Sequence, residues 1–243
     1  MTKYIRSELY RIFKKKSLYI FMGIIALGFV LINYMMLNSQ STSLDYISNT
    51  LNLLSFATII AGIYIFNTVY NDDFNSNALN AGVGLGIKRS SIVIYKLIIM
   101  TILTIVMFAF FTLVFFLMGM MYKFKFSNLE IESLVLYTSS IIVGIIGYAS
   151  LTSIIIFATQ KAIYGTITYL LLCTEMVHSL VTMGLKFPPV TSLMGDRSSW
   201  LFSSLTGELA QGKYISLIGI GVYILVSIVL AILMFNKKEV EFI

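Results

Sequence analysis

Glu175 and His178 stand three residues apart in an otherwise apolar run, Ile163 to Met183, and that spacing places both on one face of a helix. A carboxylate in mid-membrane costs roughly 2.5–3.5 kcal/mol on insertion scales, so it is a functional candidate by default. Three kinds of chemistry fit the pair: a proton or ion relay, half of a Glu-x-x-His metal site, or a buried Glu and His that satisfy each other inside a helical bundle. A di-metal bundle needs several more inward carboxylates, and no other apolar run supplies one. The structural pairing is the preferred reading, because polar groups within membranes commonly act as contacts between helices.

Little else in the chain could do chemistry. A single Cys, Cys173, cannot form an internal disulfide, and one Cys with one His cannot build a Cys/His zinc site alone. The lone His leaves no Ser-His-Asp set, and no Gly-x-Ser-x-Gly occurs. Gly82-Val-Gly-Leu-Gly-Ile-Lys-Arg-Ser90 invites comparison with a phosphate-binding P-loop, but Ile87 separates Gly86 from Lys88 and no strand pattern precedes it. The Thr-Val-Gly-Tyr-Gly filter of potassium channels is missing, and Ile146-Gly-Tyr-Ala149 matches it only superficially. We expect no catalytic, cofactor-binding or metal site in this chain, and therefore not an enzyme.

The elements that must position Glu175 and His178 are membrane spans. Of 243 residues, 58% are hydrophobic and 12% charged, against roughly 25% charged in soluble domains. Mean hydropathy is +0.90, and six apolar runs reach the length of about 20 residues that a crossing helix needs. They are 17–37, 51–70, 92–121, 134–158, 163–183 and 214–235. The predicted fold class is an all-α polytopic membrane protein, with residues 1–243 forming one transmembrane domain. The first run exceeds the roughly 7 to 15 residues of a signal-peptide core and has no Ala-x-Ala behind it, so it reads as a retained span.

Six of the seventeen Lys and Arg lie in the first sixteen residues, directly before the first run, which is an orientation signal and not a nucleic-acid footprint. Six crossings put both termini on one side. Placing them inside leaves twelve Lys and Arg inside (six N-terminal, then Lys88, Arg89, Lys96, Lys161, Lys237 and Lys238) and five outside. Both termini are therefore expected in the cytoplasm. In segment 1–16, Ile5, Leu9, Ile12 and Phe13 share one helical face, and Lys3, Arg11, Lys14 and Lys15 the other, as in a helix lying in an anionic lipid interface. Lys96, near the start of the third run, is expected to snorkel to that interface.

Outside, segment 184–213 carries Pro188-Pro189 and Trp200 and apolar stretches too short to span, which predicts short interfacial or re-entrant helices. Ser140, Gly144 and Gly147 share one face of the fourth run and predict a close helix contact. Phe108, Phe110, Phe111, Phe115 and Phe116 crowd the third run, where helix packing or lipid contact explains aromatic bulk. Ion-coupled transporters usually show ionisable relays or broken helices at mid-membrane. Five of the six runs offer no such relay, so energy is expected to enter elsewhere.

The inner loop 71–91 is the most informative segment. Asn71 can cap a short helix whose first turn holds Asp72 and Asp73, favourable at its positive end, and Gly82 can terminate it. Phe74, Ala78 and Leu79 then form an apolar face with no lipid to cover it, which calls for a protein partner.

This layout resembles the permease subunits of type-two ABC exporters (the ABC-2 family). The resemblance covers most of the chain: a basic amphipathic helix ending in Lys14-Lys-Lys-Ser17, six spans, an acidic start to the first inner loop, a Gly86-Ile-Lys-Arg89 turn, and Lys96 beyond it. It implies a coupling helix docked on a separate cytoplasmic ABC ATPase, with Asp72, Asp73, Phe74, Ala78 and Leu79 at the contact and Lys88 and Arg89 beside it. ATP and Mg would be bound by that partner, not by this chain. It further implies a second permease chain, identical or related, a bacterial cell membrane, and an amphipathic peptide cargo such as phenol-soluble modulins or antimicrobial peptides. The family often has Glu where Asp73 stands, and Gly-Thr or Gly-Ser where Asn75-Ser76 stands. The alternative function, from another class, is an ion-coupled transporter or channel using Glu175 and His178.

Overall fold

A computed structural model of the chain describes residues 2–37, 41–75, 84, 86–187 and 198–237. Every element is helical, and no strand occurs among the described residues. In chain order the helices are α1 (Thr2–Phe13), α2 (Lys16–Met36), α3 (Ser43–Ser55), α4 (Ala57–Phe66), α5 (Asp72–Asn75), α6 (Arg89–Met121), α7 (Asn128–Thr159), α8 (Ala162–Cys173), α9 (Met176–Leu185), α10 (Phe202–Ala210) and α11 (Ser216–Lys237). A π-helical turn, Asn67–Asn71, joins α4 to α5, and a 3₁₀ turn, Ser198–Trp200, precedes α10.

Four helices, α2, α6, α7 and α11, are long and apolar enough to cross a membrane, and the number rises to six if the bent pairs α3/α4 and α8/α9 each form one span. Their starts are set by polar caps. Thr42 with Asp45, and Ser127 with Glu130, each form a reciprocal capping box that satisfies free N–H groups at a helix start. These caps begin α3 and α7 several residues before the apolar runs do, and Ser43 Oγ donates to Glu130 Oε1 at 2.8 Å, tying the two starts together.

The second and fifth runs are not single straight helices. The α3/α4 pair bends by 44° at Phe56 and the α8/α9 pair by 59° at Thr174-Glu175. Neither break contains Gly or Pro; hydroxyl groups stand at both. Ser55 Oγ donates to the Asn52 carbonyl at 2.6 Å, and Thr174 Oγ1 to the Leu170 carbonyl at 2.9 Å, bonds that compete with the helix ladder and favour bending. Glu175 then takes the left-handed conformation, φ 56° and ψ 13°, which ends the regular helix.

α7 runs through the middle of the bundle, with Ile145, Ala149, Ile156 and Phe157 fully buried. Small side chains let neighbours approach it closely. The Phe202 ring of α10 lies directly on Gly147, and Thr206 Cγ2 is 4.0 Å from the Cβ position of Gly144. α10 runs antiparallel to the first half of α11: Tyr223 donates to the Trp200 carbonyl at 3.0 Å, while Leu205 rests on Gly219. The chain before α10 therefore reaches the level of Tyr223, about 10 Å along α11 from its start, before turning back. The small-residue face of the fourth run thus receives α10.

At the opposite end of the bundle α1, α5 and the last turn of α11 gather. Ile12 is fully buried, and Ile5, Leu9 and Phe13 pack against the core. Arg89 reaches the carbonyls of Phe235 and Asn236 at 3.1 and 3.3 Å.

Candidate functional site

The two helix breaks and α10 meet at one polar cavity of about 340 Å³. Ser55 and Thr58 come from the α3/α4 bend, Thr174 and Glu175 from the α8/α9 break, and Ser203 and Thr206 from α10. α7 closes the remaining side with Tyr137, Ser140, Gly144 and Tyr148. Gly144 is midway along α7, so the cavity sits at mid-height of the bundle. The two bent helix pairs also hold each other there: the Tyr169 hydroxyl packs on Gly62 and donates to the Thr58 carbonyl at 3.2 Å.

Behind the α3/α4 bend lies a second, apolar cavity of about 560 Å³ between α2, α3/α4, α6 and α7. Leu54, Phe56 and Ala57 face it, while their neighbours Ser55 and Thr58 face the polar cavity, so the bend is a thin shared wall. Phe108, Phe111 and Phe115 of the crowded third run line this second space, whereas Phe116 is exposed.

Glu175 and His178 do not satisfy each other. Glu175 stands at the break itself, in left-handed backbone just before α9, while His178 lies in the first turn of α9, and no hydrogen bond joins their side chains. Glu175 lines the polar cavity as an exposed side chain. His178 is half-buried, its Nε2 lies 3.4 Å from Thr182 Oγ1, and its Nδ1 is buried with no partner. The preferred structural pairing is therefore corrected. Among the described residues no group of three or more His, Cys, Asp or Glu could hold a metal ion.

A second cluster, which sequence reading did not assemble, joins three segments at the α1 end. Arg11 donates to Asp73 Oδ1 at 2.6 Å and to Glu8 Oε2 at 2.7 Å. Lys96 Nζ pairs with Asp73 Oδ2, donates to the Val69 carbonyl at 3.0 Å, and lies 3.6 Å from Glu8 Oε2. Lys96 is fully buried and Asp73 is 1% exposed. The snorkelling expected of Lys96 is thus overturned: a carboxylate and a carbonyl freed near the π-helical turn meet its ammonium inside the protein. Burial opposes charge on Arg11, but the Asp73 and Glu8 carboxylates outweigh it and hold the guanidinium proton more tightly than usual. Burial, reinforced by the same carboxylates, pushes the Tyr4 phenol upward.

The residues assigned to a partner contact divide accordingly. Asp73 is inside the ionic cluster and not on a docking face. Phe74 is half-buried, its ring 5.7 Å from Phe157 in an edge-on contact, so it is not left bare. Lys88 is exposed, and Arg89 leans on the end of α11, 5.7 Å over the Phe235 ring. Asp72 starts α5, while Ala78 and Leu79 lie outside the described residues.

No family model matches the chain, and no curated protein matches it.

Proposed function

We propose that this chain is the membrane-spanning permease subunit of an ATP-driven exporter of the ABC-2 type, with six spans, both termini cytoplasmic and α1 lying along the inner face of a bacterial cell membrane. The observation that carries a transport role is the polar cavity at mid-height, where two broken spans and a re-entrant helix converge. Rigid packing would have no use for two helix breaks at one level, whereas a path that opens and closes needs them. The ATP-driven part rests on the resemblance of segment 71–91 to a coupling loop. The Glu8-Arg11-Asp73-Lys96 cluster supports it, because it fastens α1, α5 and α6 into one unit from which that loop emerges. A push delivered there by a cytoplasmic ABC ATPase would reach the α3/α4 bend through α4 and the π-helical turn. ATP and Mg belong to that partner, a second permease chain completes the path, and the cargo is an amphipathic peptide.

The second reading, an ion-coupled transporter or channel using Glu175, gains from the broken helices, since these are a feature of such proteins. The experiment that separates the two is affinity purification from native membranes, with identification of any chain bearing Gly-x-x-x-x-Gly-Lys-Ser/Thr. The proposal expects such an ATPase to co-purify with wild type and to be lost with Leu79→Asp or Lys88→Glu at unchanged membrane yield. Phe74→Asp is unsuitable, because it would also break the Phe157 contact. Retention of the ATPase by both variants would remove the coupling role from this loop.

A further inference from the structure

Four of the eight hydroxyl side chains that line the polar cavity are committed in the same way. Ser55 donates its proton to Asn52 O at 2.6 Å, Ser140 to Tyr137 O at 2.7 Å, Thr174 to Leu170 O at 2.9 Å and Thr206 to Ser203 O at 2.9 Å. A hydroxyl that has given its one proton to a helix carbonyl offers only lone pairs to whatever lies beside it. Four hydroxyl oxygens therefore join the Glu175 carboxylate as acceptors, beside the hydroxyls of Thr58, Tyr137, Tyr148 and Ser203, which can donate or accept.

No Lys, Arg or His lines the cavity, and among the described residues no cation pairs with Glu175. Lys213, on the turn after α10, lies 3.4 Å from Glu208. Tyr137 and Tyr148 line the same cavity as Glu175 and bring aromatic rings, a group that attracts cations. A ligand for such a wall must be cationic and rich in donors. Calcium or magnesium would call for more carboxylates than one. A bare alkali ion would leave most of 340 Å³ unused, a volume near the lower end of the roughly 300–1,000 Å³ of organic ligand sites.

The geometry points to this cavity as a subsite for a primary ammonium group, with Glu175 as its counter-charge and the hydroxyl oxygens as its acceptors. Three N–H donors on a flexible stem match one carboxylate and several hydroxyl oxygens. Two sources offer that group, a lysine of an amphipathic peptide and the ethanolamine headgroup of a lipid. The peptide source rests on the export reading above and would make its cargo cationic. The left-handed backbone at Glu175 holds the carboxylate at the break, so hinge motion at Thr174-Glu175 would take up or release the ammonium.

The test uses the full chain in phosphatidylcholine nanodiscs, which contain no primary amine, with empty nanodiscs subtracted. The probe is a fluorescent amphipathic helical peptide bearing lysines, beside the same peptide with every lysine acetylated. Wild type should bind the lysine form at least about tenfold more tightly than Glu175→Gln does, the difference expected for loss of a charge-assisted contact. The acetylated form should bind both proteins alike, and Glu175→Asp should keep most of the wild-type affinity. An unchanged thermal midpoint for Glu175→Gln shows that the loss is local. Competition by added phosphatidylethanolamine in wild type alone assigns the site to the lipid, and its absence assigns it to the peptide. Equal lysine-peptide affinity in wild type and Glu175→Gln, or equal wild-type affinity for the two peptides, overturns the subsite. ATPase co-purification is read on the same preparations. Its presence without Glu175 dependence sinks only the subsite, and its absence with Glu175 dependence sinks only the export reading.

Discussion

Asp73→Leu is the sharpest perturbation of the ionic cluster. In the wild type two cations, Arg11 and Lys96, face two carboxylates, Glu8 and Asp73, and the four charges cancel. Removing Asp73 leaves a net charge of +1 around Lys96, which is fully buried and then has only the Val69 carbonyl and Glu8 at 3.6 Å. Breaking a buried pair by deleting one partner costs roughly 3–5 kcal/mol, and the surviving Glu8 puts this case at the lower end, about 3 kcal/mol. At about 2–4 °C per kcal/mol for a chain of this size, the thermal midpoint should fall by roughly 6–12 °C. The double variant Asp73→Leu/Lys96→Met leaves Arg11 balanced by Glu8 and should recover most of that loss, because replacing a buried ion pair by apolar groups is often near neutral. Thermal unfolding in detergent, followed by the fluorescence of the single Trp200 and by size-exclusion recovery, reads both variants. A single variant within 2 °C of wild type, or a double variant no better than the single, would refute the assignment of Lys96 to a buried counter-charge.

Two further outcomes follow from the packing and from the proposed topology. Gly147→Val places side-chain atoms where the Phe202 ring sits, so α10 should lift from α7 at a cost of about 1–3 kcal/mol. Thiol labelling of Ser203→Cys in a Cys173→Ser background should then rise several-fold, and unchanged labelling would mean that Gly147 is not the seat of α10. In the same background, single cysteines at Ser41 and Ser198 should react with an impermeant thiol reagent added to sealed cells. A cysteine at Ser90 should react only after permeabilisation, and its labelling in sealed cells would invert the topology.

The apolar runs were legible because hydrocarbon thickness forces about 20 apolar residues in a row, whatever packs around them. The helix starts were missed: hydropathy places them at Leu51 and Leu134, whereas the signals Thr42-x-x-Asp45 and Ser127-x-x-Glu130 mark the capped turns that begin earlier. The breaks were hidden. Neither Ser55-Phe56 nor Thr174-Glu175 carries the Gly or Pro that usually marks a bend, and whether a Ser or Thr hydroxyl bends its helix depends on neighbours that sequence does not display. That is why Glu175 and His178 looked like an i, i+3 pair. Lys96 offered a clue, an ammonium inside an apolar run that needs an acid, but Asp73 is twenty-three positions away and was read as a surface residue. The convergence of Ser203 and Thr206 on Glu175 is tertiary, and no spacing along the chain encodes it.

The central claim is that this chain moves an amphipathic cargo only when a cytoplasmic ATPase drives it. The direct measurement is uptake of a fluorescent amphipathic peptide into proteoliposomes holding the purified chain, with the co-purified ATPase added to the outer face and Mg-ATP supplied there. The account predicts accumulation that requires both the ATPase and hydrolysable ATP, that vanishes with Leu79→Asp, and that ignores proton and sodium gradients. Accumulation driven by either gradient without ATPase or ATP, and lost in Glu175→Gln, would contradict it and make the chain an ion-coupled transporter.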